Sequence, residues 1–422
     1  MQRLGITESG SQLSAKRPSP NFEQPGLETQ LTSRTWKAPT VVNQLDLVLV
    51  GDTAFGANYQ ERAADRGRKN ILSEYGYDHG FEYVDHILQS ADLAIANLET
   101  PLTHRRDSLF KDIRPYIHYD DPEQSLRHLL SHNIGAVTLA NNHTHDMGEP
   151  GLTDTLQALE SRGVLAIGAG RTLTEANLPL RVLAEIEGGS AFRGSFLSRF
   201  WGGQLFREEI KAHATQDTPG SAPLDTPDTA RVVSDLRAIS PQEFIVVMPH
   251  WRRDYKWASR RQRETAQALV KANVDLIVGH GSHMAQEIDF LDGRLVLNGI
   301  GNFIFNSAGR YKKMGVPPYS AMVRLSVTPD EIVVHIYPIH TDNRLNGYQP
   351  RPVGHEEFSD FYSTALQRTN DAPAFRAHVR SGEDEYGSHL AVGLRRDGRL
   401  QGYSKAGAIA RRLRSKLLRR GR

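Results

Sequence analysis

The constraint that does most to fix this chain's fold is a recurring one. Short runs, apolar on both faces, end again and again in a small or polar residue. Leu45–Val50 closes on Gly51 and Asp52, and Leu93–Ala96, Ala136–Ala140, Phe244–Met248 and Leu276–Val278 obey the same rule. Runs of this length and composition read as buried strands. Helical periods lie between them. Pro122–His132 carries Leu126, Leu129 and Leu130 on one face behind a capping Asp121; Gly151–Arg162 carries Leu152, Leu156 and Leu159; Arg261–Ala272 carries Ala266, Leu269 and Val270. Strand–helix alternation predicts a layered α/β fold with much parallel sheet. Met322–Val327 and Ile332–Tyr337 alternate instead, and predict an antiparallel hairpin turned at Thr328, Pro329 and Asp330.

Composition narrows the chemistry. The 422 residues contain no cysteine, which excludes a disulfide scaffold, a thiol nucleophile, a zinc finger and an iron–sulfur centre. Any metal site must be built from His, Asp, Glu and Asn. No run approaches the ~18 to 20 apolar residues that span a bilayer. Met1–Gly5 lacks the basic-then-apolar pattern of a secretory signal, so a cytoplasmic location is expected. Residues 1–43, rich in Ser, Thr, Gln, Glu and Pro, read as a disordered arm. A main domain over 44–345 and an extension over 346–422 complete the expected organisation.

The net charge of +2 hides an asymmetry. Arg411–Arg422 holds seven basic residues and no acid, leaving 44 basic against 49 acidic elsewhere. A mildly acidic body argues against nucleic acid as a partner. Ile409, Leu413 and Leu417 recur at i+4 within the basic tail. That pattern fits a basic amphipathic helix, suited to an anionic polymer or to peripheral contact at the inner membrane face, and equally a solvated charged terminus.

In open α/β sheets ligands gather beyond the carboxyl ends of the strands. Those ends here carry Asp52; Asn97 and Glu99; Asn141, Asn142 and His143; His250; and His280 and His283. Turns and caps explain one such residue, but hardly five sets. Carboxylate, imidazole and amide donors without thiolate suit Mn2+, Fe2+ or Zn2+. A carboxylate between two ions about 3.5–4 Å apart bridges them, and the pair activates a water. A histidine beside such a centre, as His143 would be, is able to protonate a leaving group.

The order Gly51-Asp52, Ala96-Asn97-Leu98-Glu99-Thr100, Ala140-Asn141-Asn142-His143-Thr144, His250-Trp251, Gly279-His280-Gly281-Ser282-His283 and Gly301-Asn302-Phe303 resembles the CapA family. These are capsule or poly-γ-glutamate biosynthesis proteins of the calcineurin-like metallophosphatase superfamily. The likeness runs from Leu45 to His340, with secondary marks at Gly148–Gly170 and Ala222–Asp225. It implies a four-layer α/β/β/α metallophosphatase-like sandwich, with two divalent metal ions held by Asp52, Glu99, Asn142, His250, His280 and His283. His143 would then be the proton donor or a contact to the reacting group, with Asn97, Asn141, Trp251, Arg252, Asp254, Tyr255 and Asn302 around the substrate. The implied activity is hydrolase or transferase chemistry, in which metal-activated water, with Asp52 and His143 as catalytic residues, attacks a phosphoester or a γ-glutamyl or acyl bond of a polymer intermediate. The alternative is a non-catalytic subunit that docks an anionic polymer to a membrane-associated synthase. The chain departs from the superfamily pattern at Ala54, where a His is usual, and at Glu99 for Asp, an exchange common in this family; it departs from the family's own pattern at Arg252-Arg253-Asp254 for Gly-x-Glu and at Gly281 for His.

Three further features keep two readings each. Arg114, Tyr116 and His118 alternate, as on one face of a strand, and would either contact substrate or lie on an exposed edge. Asp254 and Tyr255 would orient His250 or bind substrate amines, and otherwise simply come after it in the loop. The stretch Ser190–Asp228 reads as a loop over a pocket or as an irregular packed excursion. His79, His86, His104, His128 and His132 read as surface residues.

Overall fold

The computed structural model describes residues 34–401. Two sheets face one another. In the larger, of ten strands, Leu45–Ala54, Leu93–Leu98, Ile134–Thr138 and Leu165–Ile167 lie side by side and parallel. On the other flank of Leu45–Ala54 the hairpin Tyr319–Val327 and Glu331–His340 continues the sheet antiparallel, then Gly387–Arg395 and Val379–Asp384. In the seven-stranded sheet, Ser190–Phe200, Phe244–His250, Leu276–Val278 and Arg294–Leu297 are parallel neighbours.

Side chains sort into three layers of contact. Leu47, Leu49 and Ile95 from one sheet meet Val182, Phe196, Val246 and Leu276 from the other, forming the core between them. The outer face of the larger sheet packs Val48, Ala94 and Val137 on Leu126 and Leu129 of helix Pro122–Ser131 and on Leu152, Leu156 and Leu159 of helix Gly148–Ser161. The outer face of the smaller sheet packs Ile245, Val247 and Ile277 on Val232, Val233 and Leu236 of helix Thr226–Ile239 and on Ala266 and Leu269 of helix Arg260–Lys271. Helix, sheet, sheet, helix: the protein is a four-layer α/β/β/α sandwich. The helices start where their sequences dictate. Asp121 accepts a hydrogen bond from Gln124 N with Pro122 in the first turn, and Ser259 and Gln262 form a reciprocal capping box.

Several segments differ from the sequence reading. Ser190–Phe200 is an eleven-residue strand, with Phe192 and Phe196 in the inter-sheet core; the irregular part of this stretch begins only after Phe200. Arg114, Tyr116 and His118 are not on a strand. Pro115 removes a ladder donor, Arg114 and His118 are buried, and Tyr116 is 48% exposed. Thr35–Lys37 falls within the expected arm, yet pairs with Leu180–Ile186 as an edge strand. His128 and His132 are mostly buried, stacked on aromatic rings. The basic tail lies outside the described residues. Among the described residues, no helix is long and apolar enough to cross a membrane.

Candidate metal centre

Parallel strands all point their carboxyl ends the same way, and here both sheets open toward one crevice. The larger sheet delivers Asp52, Asn97 and Glu99 and, beyond Thr138, the loop Asn141–Asp146. The smaller delivers His250 and, past Val278, His280 and His283. A bridge between His250 and His280 ties their two loops together, and Asn302 lies opposite Asp52 in parallel register.

Asp52 and Glu99 are fully buried. Asp52 accepts from Asn97 Nδ2 at 2.8 Å and from Gly281 N at 3.2 and 3.3 Å, and His283 Nδ1 lies 3.2 Å from its Oδ2. Gly281 is required here: its φ is +78°, and the space a Cβ would take is filled by the His250 ring. At this departure from the family pattern it is the Gly281 backbone N–H that meets Asp52. Burial pushes the Asp52 carboxyl up, but the His283 hydrogen bond and the charges of His283, His250 and His280 outweigh it and hold it at about 2. His283 shows the reverse balance: burial lowers it, while Glu99 and the bond and charge of Asp52 carry it to about 10. Donor atoms of Asp52, Glu99 and His283 all lie within 4.8 Å of one another.

A second set of donors adjoins the first through Glu99. His250 Nε2 is 3.6 Å from Glu99 Oε1 and 2.6 Å from Asn142 Oδ1. His280 Nδ1 lies 3.8 Å from Asp52 Oδ1. Both oxygens of Glu99 and both ring nitrogens of His280 are buried without a hydrogen-bond partner among the described residues. Leaving such groups unpaired costs about 1–3 kcal/mol each, and more for a charge. Burial, then the Asp52 charge, raises Glu99 well above the usual carboxylate range, and burial lowers His250 to about 3 and His280 to about 4. Anionic oxygens and neutral imidazoles with unused electron pairs, turned toward one another, fit a divalent cation.

His143 stands at the rim of the cluster, its Nε2 3.9 Å from Glu99 Oε1. Its Nδ1 is 2.6 Å from Asp146 Oδ2, and Asp146 also pairs with Arg114. The His118 ring stacks on it at 3.5 Å, with Tyr59 Oη 2.7 Å from His118 Nε2. Burial, then the charges of His118 and Arg114, keeps His143 well below the usual histidine range.

The remaining expected residues divide. Asn97 links Asp52 to Thr138 and to Asn141. Asn141 accepts from His143 N and Thr144 N and donates to Leu98 O, so it shapes the loop rather than facing the crevice. Asn302 Oδ1 accepts from His283 Nδ1 at 2.8 Å. Tyr255 packs its ring against His283 and Tyr311. Asp254 pairs with Arg310 at 2.9 Å, and Arg252 lies exposed over the Phe206 ring at 4.3 Å, with Arg114 at 5.0 Å from the same ring. Trp251 is directed elsewhere: it is 2% exposed and packs with Trp201 beneath the helices of the smaller sheet. Sequence reasoning passed over Asp146, Tyr59 and Tyr311. The i, i+3 spacing of His143 and Asp146 was a usable signal for the first; nothing local pointed to the tyrosines.

A four-layer sandwich with carboxylate, amide and imidazole donors converging from both sheets defines the metallophosphatase-like fold class. Within it, the chain belongs to the family described as bacterial capsule synthesis protein PGA_cap, which matches residues 46–307. It is 28% identical over 275 residues to the PGA biosynthesis protein CapA of Bacillus subtilis, covering 64% of this chain and 67% of the relative. To the capsule biosynthesis protein CapA of Bacillus anthracis it is 27% identical over 269 residues, 62% and 60% of the two chains. A probable polyglutamine synthesis accessory protein of Mycobacterium tuberculosis is 30% identical over 236 residues, 52% and 57%. The matches therefore span 57% to 67% of the relatives' own lengths.

Proposed function

We propose that this protein is a metal-dependent hydrolase or transferase acting in the synthesis of a capsule or poly-γ-glutamate type of polymer. The single observation that carries the metal dependence is Glu99, a sealed carboxylate with neither oxygen hydrogen-bonded among the described residues, ringed by Asp52, His283, His250 and His143. Asp52, Glu99, Asn142, His250, His280 and His283 would hold one or two of Mn2+, Fe2+ or Zn2+. Bound there, such ions lower the pKa of water and offset negative charge that develops on phosphorus or carbonyl oxygen. The other roles belong to the chain. Asn302 Oδ1 accepts from His283 Nδ1 and fixes the orientation of the ring beside Asp52. Asp146 accepts from His143 Nδ1 and fixes the ring with Nε2 toward Glu99, where the neutral imidazole would take up a proton from the attacking water and pass it to a leaving oxygen or nitrogen. Arg252, beside Phe206 at the mouth, suits an anionic substrate such as a phosphorylated or γ-glutamyl intermediate.

The same Arg252, together with Ala54, favours a second reading in which the pocket binds an anionic polymer without turning it over. One experiment separates the two. Metal content by plasma mass spectrometry and turnover of a generic phosphodiester with added Mn2+ are measured on wild type and on Asp52→Ala/His280→Ala. About two metals per chain, lost together with turnover in the variant, is the expected result. No bound metal after Mn2+ loading sinks the enzyme and leaves the binder.

A further inference from the structure

Away from this centre, the turn Tyr77–Phe81 and the end of helix Pro122–Ser131 bring a separate set of donors together. His128 and His132 are four residues apart, one helical turn, so both rings leave on the same side. Asp78 Oδ1 lies 2.5 Å from His128 Nδ1 and 2.9 Å from His132 Nε2. The other nitrogen of His132, Nδ1, lies 2.6 Å from Asp85 Oδ1. Neither ring is free to turn: His128 stacks on Tyr77 at 5.3 Å and His132 on the buried Phe81 at 3.8 Å, nearly face to face.

Counting protons exposes a problem. A neutral imidazole has one N–H and one lone pair, yet each nitrogen of His132 faces a carboxylate oxygen. If Nδ1–H donates to Asp85, the lone pair on Nε2 points at the lone pairs of Asp78. The other tautomer moves the conflict to Asp85. One more positive charge relieves it, either a further proton shared within the cluster or a metal ion between Nε2 and Asp78.

Two observations favour the metal. Asp78 meets a second imidazole, His128, at the same oxygen, so three donors from two elements converge on one point. The pairing of His132 Nδ1 with Asp85 is the outer carboxylate contact that metal-bound histidines usually have. A tetrahedral ion with bonds of ~2.0–2.1 Å keeps its donors about 3.3 Å apart, so Asp78 must retreat by about 0.4 Å from His132 and about 0.8 Å from His128. It is the member able to do so, being 66% exposed where the rings are 15% and 13%.

We propose that Asp78, His128 and His132, oriented by Asp85, form a second metal site for a nitrogen-preferring first-row dication such as Zn2+, with its remaining position open to solvent. The ion fastens the Tyr77–Phe81 turn to helix Pro122–Ser131. The site is independent of the crevice and of its proposed activity.

The test is calorimetric titration of the chelator-treated full chain with Zn2+. Wild type is expected to take up one equivalent more than His128→Gln/His132→Gln. Asp52→Ala/His280→Ala, which disables the crevice, is expected to keep that equivalent. Asp85→Asn leaves all three donors in place and is expected to weaken binding about 10- to 100-fold. Asp78→Asn keeps both rings and their stacking, which guards against misreading a folding defect. Zn2+ uptake by Asp78→Asn and His128→Gln/His132→Gln equal to wild type overturns the proposal and leaves a proton as the cation.

Discussion

A carboxylate sealed from water with no donor on either oxygen, as Glu99 is, loads the fold with an electrostatic strain that grows with pH. Its folded pKa is raised, so the metal-free protein loses stability as pH climbs above the ordinary carboxylate value. Glu99→Gln should therefore make the chelated protein more stable at pH 8, by on the order of 1–3 kcal/mol, with the gain shrinking toward pH 5 and metal affinity falling. Denaturant melts at both pH values decide it; no gain at pH 8 rejects the argument. The histidines bend the curve from the other side. His118 and His250 at about 3 and His280 at about 4 stay neutral in the fold, so the unfolded chain takes up protons first below about 6.5. Each such histidine steepens the fall in stability by up to ~1.4 kcal/mol per pH unit. His283, raised to about 10, contributes fully below pH 6.5 and loses its contribution as pH rises from there through about 10. Chelated protein should thus show a bell-shaped Tm profile peaking near neutrality, and metal should broaden it. A flat profile between pH 4 and 10 rejects this account.

At the scale of elements, the strand Gly387–Arg395 is instructive. Only Leu390, Val392 and Leu394 gave it an apolar face in an otherwise polar stretch, too weak a pattern to separate an edge strand from a loop. In the fold all three are fully buried in the inter-sheet core, while intervening residues are more exposed. Leu390→Ala should cost about 2–5 kcal/mol in urea unfolding yet leave the metal content of the folded protein unchanged, since this strand lies on the far flank of the sheet from Glu99. Loss of metal from folded Leu390→Ala rejects that division. The parallel strands were legible because runs buried on both faces leave few alternatives, and their polar ends came from strand direction alone. Ser190–Phe200 was obscured by Gly194 and the buried Arg199 within an otherwise regular pattern. Arg114, Tyr116 and His118 misled for the opposite reason: alternation with period two appeared where Pro115 and the ties of His118 to Tyr59 and Glu99 hold a loop. The link between His143 and Asp146 needs the three-dimensional turn to be seen at all.

For the whole molecule, the sequence sets a mildly acidic body against the seven basic residues of Arg411–Arg422. If the tail is an address, reversing Arg411, Arg412 and Arg414 to Glu should abolish co-sedimentation with anionic vesicles and leave turnover in the same sample intact. A parallel loss of turnover would make the tail part of the working enzyme. The crevice also carries a consequence beyond chemistry. Its donors come from opposite faces of a joint, Asp52, Glu99 and Asn142 on one side and His250, His280 and His283 on the other, with Asn142 and His250 in contact across 108 residues of sequence. An ion held among them is a rivet through two plates. Pulling it should let the plates slide, and the slackness should show far from the rivet, as faster amide exchange along the facing surfaces of both.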